Sequence, residues 1–284
     1  MLSAKTEICG LVGDPVEHSV SPAMHNAAFN NLGLDYIYLP FHVKGENLSK
    51  AIDSLKALNI RGLNITIPYK VLVIPLLDKI DQMAKKIGAV NTIVNDKGYL
   101  KGYNTDANGF LKVLLEKEFE PKGKRIIILG AGGVSRSISF SLAERGADIV
   151  ILNRKVEMDW AVKIASDISI ISNREVKALE LNNENLSLVL SADMLINATC
   201  VGMNPRIIDS PLPSKFLKPN LIVFDAVYNP LRTRLLLEAE EVGAKTISGI
   251  DMLVWQGALA FELWTGVKPP IEIMKTKAIE ALEA

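Results

Sequence analysis

Cysteine is scarce: the chain of 284 residues has two, Cys9 and Cys200, with no zinc-ligand spacing between them. A disulfide framework is not expected, and both thiols, set in apolar segments, read as small core residues. Excess charge of either sign is also missing, since 32 basic residues balance 32 acidic ones. Nucleic acid is therefore not an expected partner, because neutralising a phosphate backbone needs a basic surplus. A local basic pocket for one phosphate remains compatible with that balance. Long apolar runs are absent: the longest candidate, Met252 to Phe261, contains Gln256 and stops at Glu262, short of the roughly 18 residues of a membrane span. The start of the chain shows no basic stretch leading into an apolar one, so neither a signal peptide nor a membrane partner is expected, and the expected setting is cytoplasmic. No metal site is expected, and no repeat or low-complexity tract is visible.

What is present is the composition of an ordinary globular protein, 49% hydrophobic, with length enough for two cores. Strand patterns at Thr6–Val12, Tyr36–His42, Gly62–Ile67 and Val90–Val94 alternate with helical ones after Ser21, over Leu48–Leu58 and over Pro75–Ile87. Ser21 is expected to cap its helix, with Pro22 in the first helical position. A second series follows a helix over Ala107–Glu116, with strands at Arg125–Leu129, Ile149–Leu152, Met194–Ala198 and Leu221–Ala226 and a shorter one near Thr246. Ile168–Ser172 reads as a further short strand. The expected fold is α/β: an N-terminal open, mostly parallel sheet domain and a Rossmann-type domain. An apolar helix over Asp251–Trp264 is expected to return to the first domain, which gives boundaries of 1–104 plus 251–284 for the first domain and 105–250 for the second. A cleft is expected between them.

The second domain carries the sharper motif. The buried strand Arg125–Leu129 runs into Gly130-Ala131-Gly132-Gly133-Val134-Ser135 and a helix. Gly130 suits a tight turn, and Gly132 lets the backbone approach a pyrophosphate. The helix start aims N–H groups at it, and Ser135 is a small residue in the third glycine's place. The next strand ends in Asn153-Arg154-Lys155, where an NAD binder usually carries Asp or Glu. A neutral amide and two cations favour a 2′-phosphate, hence NADP; the alternative is a solvated basic turn.

Four polar segments mark the first domain: His18–Asn26, Asn64–Lys70, Gly88–Thr92 and Gly102–Gly109. Strand alternation puts Asn64 and Thr66 on one face. Such a row of hydroxyls and amides with one lysine suits a small polyhydroxylated ligand. Taken singly, Asn91 and Asn104 also read as turn residues, Asp106 as a helix cap, Lys70 as a surface lysine, and His18 and His25 as structural.

Together these motifs resemble the shikimate dehydrogenase family over almost the whole chain. The resemblance rests on His18-Ser19-Val20-Ser21-Pro22, Asn64-Ile-Thr66-Ile-Pro68-Tyr-Lys70, Gly88–Thr92, Gly102–Asp106, Gly130–Ser135 and Asn153-Arg154. It extends through Asn197-Ala-Thr199-Cys-Val-Gly202-Met203, Asp225-Ala-Val-Tyr228-Asn-Pro230, Gly249-Ile-Asp-Met252-Leu253 and Gln256. It implies reversible reduction of 3-dehydroshikimate to shikimate with NADPH, with Lys70 and Asp106 as the catalytic pair. It further implies that Ser19, Ser21, Asn64, Thr66, Asn91, Tyr228 and Gln256 hold substrate. Thr199, Gly202 and Met203 would lie beside the cofactor, and Ala226, Gly249 and Met252 along the nicotinamide. The chain departs from the family's usual Asn-Arg-Thr with a later lysine: Lys155 replaces the threonine and Met158 the lysine. The rival readings are an NAD-using quinate/shikimate dehydrogenase, a methylene-tetrahydrofolate dehydrogenase/cyclohydrolase and a non-catalytic NADP-binding sensor. The paired serines and Asn-Thr-Asp argue against the second, and the presence of both Lys70 and Asp106 against the third. A homodimer is the candidate assembly.

Overall fold

The computed structural model describes residues 3–284; Met1 and Leu2, part of the N-terminal reading above, lie outside the described residues. The chain divides into two compact units. One comprises the residues through Gly109 together with Val254–Ala284; the other is Phe110–Leu253. No helix among the described residues is long and apolar enough to cross a membrane.

The first unit runs β1 (Glu7–Gly13), α1 (Ser21–Asn31), β2 (Tyr36–His42), α2 (Leu48–Ala57), β3 (Gly62–Ile65), β4 (Lys79–Ile80), α3 (Gln82–Ile87), β5 (Thr92–Asp96), β6 (Tyr99–Tyr103) and the start of α4 (Thr105–Glu116). Its sheet has the order β2-β1-β3-β5-β6-β4. Strand β1 lies parallel to β2 and β3, whereas β5 is antiparallel to both β3 and β6. Strands β5 and β6 are joined by the turn at Lys97-Gly98, where both residues have positive φ (52° and 90°), the backbone of a tight hairpin. Asn95 Oδ1 secures it by accepting from the Gly98 N–H at 2.8 Å.

Three sequence expectations change here. Ser21 does not cap α1. It is the first helical residue, Val20 precedes it without a side-chain bond, and Ser19 Oγ accepts from the Ser21 N–H at 3.3 Å. The expected helix over Pro75–Ile87 shrinks to Gln82–Ile87. Asp78 Oδ2 accepts from the Leu100 N–H at 2.7 Å and draws β4 beside β6, and the Asp81 carboxylate caps α3 through the Met83 N–H. The strand expected from Val90 starts at Thr92, because the Val90 N–H is given to the Lys70 carbonyl, 2.7 Å away.

The second unit adds β7 (Arg125–Leu129), α5 (Gly133–Glu144), β8 (Asp148–Asn153), α6 (Met158–Ser172), β9 (Val176–Glu180), α7 (Asn183–Leu186), β10 (Met194–Asn197), β11 (Ile222–Asp225), α8 (Arg234–Glu241), β12 (Lys245–Ser248) and the start of α9 (Gly249–Thr265). The six strands are all parallel in the order β9-β8-β7-β10-β11-β12, the doubly wound dinucleotide-binding order. Strands β7 and β8 read as continuous apolar runs because helices cover both faces; Ile126 to Leu129 are wholly buried. The strand expected at Ile168–Ser172 is instead the last turn of α6. Ala161, Ile164, Ala165 and Ile168 bury one helical face, and Asn173 at φ 52° ends it.

Cys9 is buried as expected, but Cys200 is exposed in the loop after β10. The apolar helix read from Asp251 is α9, whose later part returns to the first unit, followed there by α10 (Ile271–Glu283). Trp264 Nε1 donates to the Ile93 carbonyl at 2.9 Å, and the Arg61 guanidinium donates to the Trp264 carbonyl at 2.9 Å, which ties the helix to β3 and β5. Gly257 faces α1 so closely that a Cβ there would lie 2.4 Å from the Met24 methyl.

Beside that contact His25 is fully buried, stacked on Tyr38 with ring centroids 4.3 Å apart. Neither ring nitrogen has a hydrogen-bond partner among the described residues, and burial drives the imidazole down from 6.5 to about 3. A depressed folded value means stability that is complete above pH 6.5 and lost as pH falls toward 3. His25→Phe is therefore expected to flatten the fall of Tm across that window relative to the parent. An unchanged slope by thermal denaturation would exclude His25 as a source of acid lability.

Candidate active site

Lys70 and Asp106 form one nearly buried ion pair. Nζ lies 2.6 Å from Oδ2, with side chains 12% and 5% exposed. Lys70 sits in the turn that follows β3. Asp106 occupies the first turn of α4, where the helix dipole favours a carboxylate. Asp106 does not cap this helix: Asn104 Oδ1 accepts from the Ala107 N–H at 3.1 Å. Asn104 is thus the capping residue and also donates to the Ala89 carbonyl.

Asn91 orients the other carboxylate oxygen. Its Nδ2 donates to Asp106 Oδ1 and Thr105 Oγ1, both at 2.9 Å, and to Gln256 Oε1 at 3.3 Å. Its Oδ1 accepts from the Thr105 N–H at 2.7 Å. Asn64 continues the network by donating to Thr92 Oγ1 at 3.1 Å while accepting from the Tyr38 hydroxyl at 2.8 Å. Lys70, Asp106, Asn91, Asn64 and Gln256 are therefore brought together in one set of hydrogen bonds. Thr66 stands at the end of β3, its N–H donating to the Val12 carbonyl, so it lies beside the end of β1. Ser19 and Ser21 pair with each other in the segment after that strand. Tyr228 belongs to the second unit, in the segment after β11, and is half-buried. Sequence reasoning missed Tyr38, Thr92 and Thr105 as members. The two threonines stand inside polar segments it had singled out, but nothing along the strand marks Tyr38.

In the second unit the glycine turn lies at the switch between β7 and β10, where the strand order reverses. Gly130 has φ 98°, which a side chain rarely adopts, and a Cβ there would lie 2.7 Å from the Thr199 methyl. Ser135, wholly buried, donates to the Gly130 carbonyl at 2.7 Å and closes the turn. No side chain caps α5, and its first i to i−4 bond is from Arg136 to Gly132, so the N–H groups of Gly133, Val134 and Ser135 precede the helical hydrogen-bond ladder. A Cβ on Gly132 would meet nothing within 4 Å. Open space before an uncapped helix N-terminus fits a pyrophosphate.

The loop after β10 is shaped by Asn197, which donates to Asp225 Oδ1 at 2.8 Å and accepts from Thr199 Oγ1 at 2.7 Å. Burial pushes the Asp225 carboxyl up to about 6, against the opposing effect of hydrogen bonds from Thr233, Val227 and Asn197. Gly202 at φ 90° turns this loop, and Met203 is exposed. Gly249 packs against the strand beside it: a Cβ would lie 2.5 Å from the Ala226 carbonyl oxygen. Met252 is buried in the first turns of α9. At the tip of β8, Asn153 is buried and Arg154 and Lys155 are exposed.

The profile of the shikimate dehydrogenase substrate binding domain matches residues 11–93, and that of the shikimate 5′-dehydrogenase C-terminal domain matches residues 249–279. A protein of Methanopyrus kandleri named shikimate dehydrogenase (NADP(+)) is 49% identical, covering 99% of this chain and 98% of its own. This chain belongs to the shikimate dehydrogenase family. A crystal structure of shikimate dehydrogenase in complex with NADP+ superposes with a TM-score of 0.92 at 44% identity, covering 99% of this chain and 97% of that one. The Thermus thermophilus shikimate 5-dehydrogenase, in complex with NADP(H) and shikimate, gives 0.87 at 37% identity, covering 97% and 99%. The family resemblance read from the ordered motifs thus holds across both units.

Because the space before Gly132 is open, Gly132→Ala is expected to fold with an unchanged Tm yet bind NADPH at least about 10-fold more weakly, some 1.4 kcal/mol. Fluorescence titration beside a melting curve checks both halves. Parental affinity in the folded variant would remove this turn from the cofactor site.

Proposed function

We propose that this protein catalyses the reversible reduction of 3-dehydroshikimate to shikimate, a step of aromatic amino acid biosynthesis, with the first unit binding the substrate and the second NADP. The observation that carries the reading is the Lys70–Asp106 pair at 2.6 Å, held by Asn91, which also donates to Gln256, in a chain of this family. When bound, NADPH supplies the hydride. Lys70 Nζ holds the proton that the substrate oxygen gains on reduction, and takes it back on oxidation. Its ammonium stabilises negative charge as it develops on that oxygen. Asp106 fixes Lys70 through Oδ2 and accepts from a substrate hydroxyl. Ser19, Ser21, Asn64, Thr66, Asn91, Tyr228 and Gln256 hold the substrate carboxylate and hydroxyls. Gly130 to Ser135 receive the pyrophosphate, Asn153, Arg154 and Lys155 the adenosine ribose and its 2′-phosphate, and Thr199, Gly202, Met203, Ala226, Gly249 and Met252 line the rest of the cofactor.

A cytoplasmic enzyme, with a homodimer as its assembly, completes the reading; sedimentation velocity tests the latter. The activity is tested by initial rates of shikimate oxidation with NADP and NAD side by side, and with quinate as the competing substrate. Faster turnover on quinate with NAD would replace this reading with the quinate/shikimate one.

Lys70→Ala is expected to lower kcat by roughly 10²- to 10⁴-fold, with a smaller change in KM. Lys70→Met, which keeps the apolar stem, is expected to fall as far. A folded Lys70→Met enzyme with near-normal kcat would take proton transfer away from this side chain.

A further inference from the structure

Arg154 is already engaged. Its guanidinium donates to Glu157 through two nitrogens, Nη2 to Oε1 at 2.7 Å and Nε to Oε2 at 3.2 Å, the two-pronged geometry by which arginine also grips phosphate. The carboxylate is built into place. Asn153, buried at the end of β8, donates from Nδ2 to the Glu157 carbonyl at 2.7 Å, while its own carbonyl accepts from the Leu181 N–H at 2.7 Å. Glu157 is the more sheltered partner, 28% exposed against 67% for Arg154. The turn therefore offers two cations, Arg154 and Lys155, and one carboxylate that holds the first of them.

We propose that Glu157 sets the strength of NADP preference over NAD by competing with the 2′-phosphate for Arg154; this rests on the reading of Arg154 as the 2′-phosphate contact. NAD, which lacks that phosphate, has no need of the guanidinium and is indifferent to the pair. An incoming 2′-phosphate has to share the guanidinium with the carboxylate or displace it from the Nε–Nη2 edge, and in either case that negative charge stays nearby. The position matters more in this chain than its neighbours suggest, because Met158 stands where the family resemblance calls for a second cation.

The experiment compares NADPH and NADH affinities of the full-length parent, Glu157→Gln and Arg154→Gln proteins by fluorescence titration, with the kcat/KM ratio for NADP over NAD as a second readout. Glu157→Gln removes the charge and leaves the backbone carbonyl that Asn153 binds. It is expected to tighten NADPH by about 2- to 5-fold, the size of an exposed ion pair, with NADH unchanged. Arg154→Gln is expected to weaken NADPH selectively, and adding Glu157→Gln to it should then tighten NADPH less than in the parent background. Unchanged or weaker NADPH binding in Glu157→Gln, with Arg154→Gln still weakening NADPH, overturns the role of Glu157 alone. NADPH binding unmoved by Arg154→Gln overturns the reading of Arg154 and this proposal with it.

Discussion

A buried ion pair is stable only if every remaining lone pair and proton around it is answered, and that demand organises the first unit. Lys70 and Asp106 come from distant parts of the chain, one in the turn after β3 and the other in α4. With both side chains almost sealed from water, the attraction between them has to offset two desolvation costs. The Asn91 amide meets the free carboxylate oxygen, and its own oxygen is answered by the Thr105 N–H. Asn64, Thr92 and Tyr38 extend the same accounting to β2. The pair is thereby fixed by a network that begins deep in the core, where His25 stacks on Tyr38 and Trp264 lies tilted beside that ring.

The second unit solves a different problem. The surface of its candidate cofactor site is backbone, so what matters is the absence of side chains. Gly130 adopts a conformation closed to most residues, Gly132 leaves open space before α5, and Ser135 stitches the turn back to its own carbonyl. Asp225 does for the β10 loop what Asn91 does for the ion pair. It is buried, answered by three donors, and sits behind Asn197 and Thr199. In both units a buried amide, Asn91 or Asn197, is the hinge of the polar network, because an amide offers donor and acceptor in one rigid group.

Much of this was legible along the chain because it is local. Glycines at a strand-to-helix turn, apolar runs of covered parallel strands and polar segments at strand ends each have a short-range cause. The errors fell where a distant partner overrode local preference. Pro75 to Ile80 carries a helical pattern, but Asp78 bonds the backbone of Leu100 and a strand forms. Ile168 to Ser172 looks β-branched enough for a strand, yet its apolar face completes α6. Ser21 has a capping side chain but lies one residue inside the helix. Glu157 was in plain view beside Asn153 and Arg154. Its meaning depends on a turn that brings its carboxylate back onto the guanidinium.

The sequence by itself determined the family, the doubly wound unit, the glycine turn and the choice of Lys70 and Asp106 as the candidate pair, since these follow from residue type, spacing and order. Tertiary structure alone decided that β5 runs antiparallel and that Tyr38 supports Asn64. Both depend on partners far along the chain; the Asn104 cap of α4 and the Arg154–Glu157 contact, each spanning three residues, were instead settled by local backbone turns. The reason is physical: a hydrogen bond acts over about 3 Å. Which groups come within that reach, when they lie tens of residues apart, is set by sheet register and helix packing rather than by proximity along the chain.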